Sequence, residues 1–113
     1  MSQAKDLKRL SDVAQLLFDS RLDHLHRAAR ELERSRMQLA AISQVDRSAD
    51  LDPVTAGKVG LSYDRWAEQR RSELNLVIAR QTVDWMEARG EAQTAFGRVQ
   101  ALQGLATRLK EKR

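Results

Sequence analysis

The sequence contains no cysteine, a single proline, five glycines and only 4% aromatic residues. Without cysteine there is no disulfide framework and no thiolate-ligated zinc or iron–sulfur site. So few turn formers and so little aromatic content disfavour a β-sandwich or barrel, whose short strands are bounded by turns and rich in aromatic and β-branched side chains. No uncharged apolar run approaches the roughly 20 residues of a membrane span. No signal-peptide pattern opens the chain, so a cytoplasmic location is expected, peripheral to the inner face of the cell membrane at most. The chain is 113 residues long, the length of one small domain, with 32% charged and 42% hydrophobic residues.

The net charge is +4, from 20 basic and 16 acidic residues. Residues 1–45 carry 8 basic and 6 acidic groups, residues 46–62 carry 2 and 3, and residues 63–113 carry 10 and 7. The two signs are interspersed, as on a solvated helical surface. Only the tail concentrates one sign, with Arg108, Lys110, Lys112 and Arg113 against Glu111.

The hydrophobic pattern predicts an all-α fold: one antiparallel two-helix coiled-coil hairpin over residues 1–113. Its helices span about residues 3–44 and 63–110, joined by a loop over about 45–62. In the first helix Leu22, Leu25, Ala29, Leu32, Arg36 and Leu39 recur at alternating steps of three and four, the spacing of a coiled-coil seam. Upstream, Leu7, Leu10, Ala14 and Phe18 join it by steps of three, four and four, with four more to Leu22, which predicts local unwinding of the supercoil. Asp46, Ser48 and Asp50 are loop formers, Asp52-Pro53 suits the start of one helical turn, and Gly57 and Gly60 are expected to end that turn. Ser62 is the expected N-cap of the second helix, with Leu61 and Trp66 as a hydrophobic staple. From there Leu74, Ile78, Gln81, Trp85, Ala88, Ala92, Ala95, Val99, Leu102, Ala106 and Leu109 alternate without a break. Helices of these lengths would be roughly 60 and 70 Å long at 1.5 Å per residue. A pair of helices has a seam but no interior, so no catalytic cleft is expected.

The outermost column of the second helix is the most informative feature. With Leu74 at position d, position f reads Leu76, Val83, Gly90, Gly97 and Gly104, with no charge in five successive heptads. Each helical glycine costs about 1 kcal/mol relative to alanine, and its use is to let another backbone approach closely. This column is expected to face a partner. Trp85 falls in the seam and is expected to be core, and Phe96 flanks the seam. Trp66 and Tyr63, next to the loop, are candidate contact residues, because an exposed aromatic suits a binding hot spot.

Other motifs carry no chemistry. His24 and His26 are two residues apart, whereas a helical metal pair needs a spacing of three or four. Thr55-Ala56-Gly57-Lys58 resembles the end of a phosphate-binding loop, but Asp52 stands where its first glycine belongs and Val59 where Ser or Thr belongs. No metal, cofactor or catalytic residue is expected, and the chain is not expected to be an enzyme. Arg36 and Gln81, polar residues in an apolar stripe, suit a role in fixing register or oligomer state, and for Arg36 the alternative is a side chain that snorkels its head to water.

Gly60-Leu61-Ser62-Tyr63-Asp64-Arg65-Trp66, followed by Gln69, Leu74, Ile78, Gln81 and Trp85 and then by Val99, Leu102-Gln103 and Arg108, resembles the FliJ-type proteins over about residues 30–110. These are small coiled-coil stalk proteins of flagellar and type III secretion export ATPases. The resemblance implies a role in flagellum biogenesis and motility or in type III protein transport. It also implies three kinds of partner: a hexameric export ATPase whose pore takes the chain ends, a membrane export gate reached by the hairpin tip, and escort chaperones. On that basis Arg108 and Lys110 would meet an acidic collar of the ring, the glycine column would line the pore, and Tyr63 and Trp66 would face the gate. Two other readings come from different classes: a dimerising scaffold or secretion chaperone, and a basic nucleic-acid-binding hairpin. A net charge of only +4, with no basic cluster interleaved with aromatics, argues against nucleic acid as a partner.

Overall fold

The computed structural model describes residues 2–42 and 53–112. They form two helices, α1 (Ser2–Ile42) and α2 (Pro53–Glu111), and no strand is present among them. The fold is an antiparallel two-helix hairpin. Its contacts fall into two compact units, Met1–Ala29 with Asp84–Arg113, and Arg30–Val83.

In the first unit the cross-helix pairs run in opposite directions along the two helices. The Phe18 and Phe96 rings lie 5.4 Å apart in a tilted contact, and one turn further along α1 Arg21 meets Glu91 at 3.8 Å. In the second unit the end of α1 meets the early turns of α2. Ile42, Ala67 and Leu74 form a buried cluster, with Leu39 and Tyr63 packed on it. The Tyr63 hydroxyl donates to the Ile42 carbonyl oxygen at 2.7 Å.

The seam of α1 differs from the expected one at four positions: Ser11, Arg21, Ala28 and Ser35 stand where Leu10, Leu22, Ala29 and Arg36 were expected, with Leu22 and Ala29 half-buried at its flank. Its buried and half-buried residues include Ala4, Leu7, Ser11, Ala14 and Phe18, then Leu25, Ala28, Leu32, Ser35, Leu39 and Ile42. This is an unbroken heptad, with Arg21 at the one seam position that turns outward. Leu10 is 57% exposed and Ser11 takes its place, while Arg36 is exposed and Ser35 is buried at 6%. Choosing the larger or more apolar neighbour demanded consecutive steps of four. The chain instead keeps the 3.5-residue period and accepts serine in the seam, because a register held over many turns aligns every other contact. In α2 all eleven expected seam positions from Leu74 to Leu109 are buried or half-buried.

The second correction concerns the start of α2. The helix begins at Pro53 rather than near residue 63, so Gly57, Gly60 and Ser62 lie inside it. Ser62 therefore caps nothing, and Leu61 and Trp66 do not bracket a helix start. Pro53 occupies the first helical position, where its missing N–H would have no partner in any case. Glycine weakens a helix by about 1 kcal/mol without forbidding it, and no glycine here has a positive φ. Upstream of Leu74 the inward positions are Gly60, Tyr63, Ala67 and Arg70, joined to the Leu74–Leu109 seam by two successive steps of four. Asp46, Ser48, Asp50 and Asp52 lie outside the described residues.

This seam buries little. Among the described residues, six of the ten buried hydrophobics are alanine, so only Leu32, Ile42, Leu74 and Val99 of them are large, whereas fourteen large hydrophobics are exposed. Apolar burial at roughly 25 cal/mol per Å² is the main favourable term in folding, so each large seam residue matters disproportionately. Gln81 weakens the seam further, because its Oε1 is buried without a hydrogen-bond partner. Such an atom costs about 1–3 kcal/mol.

Two stability measurements check this description. In urea unfolding, Leu32→Ala is expected to lose about 2–5 kcal/mol, while Leu10→Ala changes stability by less than about 0.5 kcal/mol; equal losses would contradict the register. Gln81→Leu is expected to raise stability by about 1–2 kcal/mol by removing the unpaired oxygen, and a loss on the same assay would show that Gln81 has a partner.

Candidate functional site

Periodicity decides which residues of α2 are available to a partner. In a 3.5-residue repeat the f position lies opposite the a/d seam, so it is the face that the hairpin's own packing leaves uncovered. In the Arg30–Val83 unit Leu76 and Val83 occupy this face, 57% and 53% exposed. In the other unit Gly90, Gly97 and Gly104 are all exposed, and a Cβ added at any of them would have no neighbour within 4 Å. Nothing among the described residues therefore requires glycine at these three positions. Gly90 also borders an open groove with Leu17, Arg21, Glu87, Glu91 and Thr94, where the Arg21–Glu91 pair crosses between the helices. An exposed pair of this kind contributes at most about 1 kcal/mol.

The aromatic candidates divide. Trp66 is 53% exposed, and its ring lies 5.5 Å from that of Tyr63. Tyr63 is half-buried, with its hydroxyl committed to Ile42. Because α2 starts at Pro53, both residues stand beside the end of α1 instead of at the first turn of α2. They border a shallow groove with Gln38, Ala41, Ile42 and Arg70. Sequence reasoning had no signal for the Tyr63–Ile42 bond, which joins residues 21 apart on two helices. Trp85 is half-buried in the seam, with the Arg89 guanidinium 5.5 Å above its ring. Arg89 is one turn further on, so its cation covers the ring's outer side.

Arg108 and Lys110 are exposed in the last turn of α2, where positive charge suits the helix C-terminus. His24 and His26 are exposed on α1. No group of three or more His, Cys, Asp or Glu that could hold a metal ion occurs among the described residues, and none of their helices is long and apolar enough to cross a membrane.

What this arrangement offers is surface. The candidate residues all lie on α2 and, apart from the half-buried Tyr63, are exposed, where they can be covered by another chain. No family model matches the protein, and neither a curated protein nor a solved structure matches it. The FliJ-type likeness therefore rests on the residues of the hairpin itself.

The open space around the glycines gives a direct check. Gly97→Ala and Gly104→Ala should each raise the stability of the isolated chain by about 1 kcal/mol, read as a higher midpoint in thermal unfolding. A lower midpoint would mean that a neighbour already occupies that space.

Proposed function

We propose that this protein is a non-enzymatic central-stalk component of a flagellar or type III protein export apparatus. In this role it binds the pore of a hexameric export ATPase and couples it to the membrane export gate. One observation above all supports an interaction role: the uncharged outer column of α2, with Gly90, Gly97 and Gly104 exposed and open at seven-residue intervals. A solvated f column gains from charge and from helix-forming residues. Three glycines there make the free helix less stable, and the loss is offset only when another surface comes close.

The particular machine is inferred from the FliJ-type likeness. In it the glycine-bearing turns lie against the ring, and Arg108 and Lys110 meet acidic groups at the ring's mouth. Trp66 contacts the gate, with Tyr63 holding the end of α1 beside it. Escort chaperones are further partners, and the protein works on the cytoplasmic side of the membrane. The fourteen exposed large hydrophobics also favour a second reading, a scaffold or secretion chaperone in which another copy covers these faces. The two differ in oligomeric state: the stalk is monomeric without its ring and the scaffold is not.

The test mixes the chain with the export ATPase of its own organism. Ring assembly and ATP turnover are expected to rise together. Gly97→Glu should keep its helical circular dichroism and lose the stimulation by about tenfold or more, since an unpaired carboxylate would be buried at the contact. Full stimulation by the glutamate variant would refute the pore assignment, and a dimeric chain without stimulation would select the scaffold.

A further inference from the structure

The chain's excess positive charge lies at one end of the Met1–Ala29 with Asp84–Arg113 unit. Lys5, Lys8 and Arg9 on the first turns of α1, with Arg108, Lys110 and Lys112 at the end of α2, stand against Asp6, Asp12 and Glu111. These nine groups sum to +3, out of +4 for the whole chain. Lys8 pairs with Asp12 at 3.3 Å on the exposed surface of α1, a contact weak enough for Lys8 to exchange it for another carboxylate.

The seam is open at the same place. A groove of about 380 Å³ runs between the two helices there. Leu7, Ser11, Ala106 and Leu109 line it, and Lys8 and Lys110 stand at its edges. Its lining residues are seam residues, and all four are only half-buried. The opening has a simple cause: Ser11 and Ala106 are too small to fill a layer of a two-helix seam, so Leu7 and Leu109 keep an accessible side.

We infer that this groove is a docking site for an acidic amphipathic helix of another protein, which lays its apolar edge on Leu7 and Leu109 as a third strand of the coil and sets its carboxylates against Lys8 and Lys110. Charge selects this occupant. A second copy pairing through the same end would bring two +3 patches together, and like charges across an interface oppose association. A phosphate backbone would satisfy the lysines and leave the leucines wet. An acidic helix with leucines at seam spacing satisfies both. The inference stands on the groove and its charges, and it holds whether or not the chain serves a ring.

The probe is a fluorescent helical peptide about three heptads long, with leucine at a and d and glutamate at its flanks. Its binding to the intact chain is followed by anisotropy. Wild type should bind it and ignore two control peptides, one with lysine flanks and one with serine in place of leucine. Lys8→Glu with Lys110→Glu should weaken binding by about tenfold or more, with a steep dependence on salt in the wild type. Arg65→Glu with Arg71→Glu, in the other unit, should change it less than about twofold at moderate salt. Circular dichroism checks that each variant remains helical, and Ser11→Leu, which fills the groove without altering charge, should also abolish binding. Three results would overturn the inference: no binding to wild type, equal binding of the lysine-flanked peptide, or binding unchanged by both Ser11→Leu and the double charge reversal. Dimerisation of the free chain that is lost in Ser11→Leu would assign the groove to a second copy instead.

Discussion

A pair of helices shares one seam, and everything else in this protein follows from that constraint. Two positions in seven can face the partner helix, so most of each helix stays in contact with solvent whatever the sequence. Here even the seam is thin. Ala14, Ala28, Ala88, Ala92 and Ala95 occupy its middle layers in the unit that pairs Met1–Ala29 with Asp84–Arg113. Alanine is the best helix former and keeps the backbones close, but it contributes little apolar area. Stability therefore depends on a few larger contacts: Phe18 against Phe96 in one unit, and Leu74, Ile42 and Leu39 with the Tyr63 hydroxyl in the other.

How much of this was legible in the sequence depends on which principle governed each residue. The seam of α2 was legible throughout, because from Leu74 to Leu109 the alternation of three and four never breaks, even where Val77, Met86, Phe96 and Leu105 stand exposed beside it. The seam of α1 was not. Leu10 beside Ser11 and Arg36 beside Ser35 offer two registers, and only the pairing of both helices chooses between them. The start of α2 was misread because local signals outvoted continuity. Gly57, Gly60 and Ser62 look like punctuation, yet α2 carries them inside one 59-residue helix. The outward position of Gly90, Gly97 and Gly104 was legible from the heptad alone. The groove at Leu7 and Leu109 was not, since it arises from small residues on two helices meeting in one layer.

The same thinness connects fold to function. A hairpin whose described residues bury four large hydrophobics and expose fourteen has more apolar surface to offer than to keep. Single exposed apolar residues are ordinary on any protein. A column of five uncharged positions and an open seam with a lysine at each edge are arrangements, and arrangements call for a cause. Contact with other chains supplies one for both, since each feature weakens the free protein and gains only when it is covered.

Native-state hydrogen exchange of the chain, alone and with the assembled export ATPase, tests that claim most directly. The thin seam predicts low protection throughout α2 in the free chain. On addition of the ring, protection should rise most around Gly90, Gly97 and Gly104. Strong protection of the free chain in those turns, unchanged by the ring, would show a hairpin complete in itself and contradict the account.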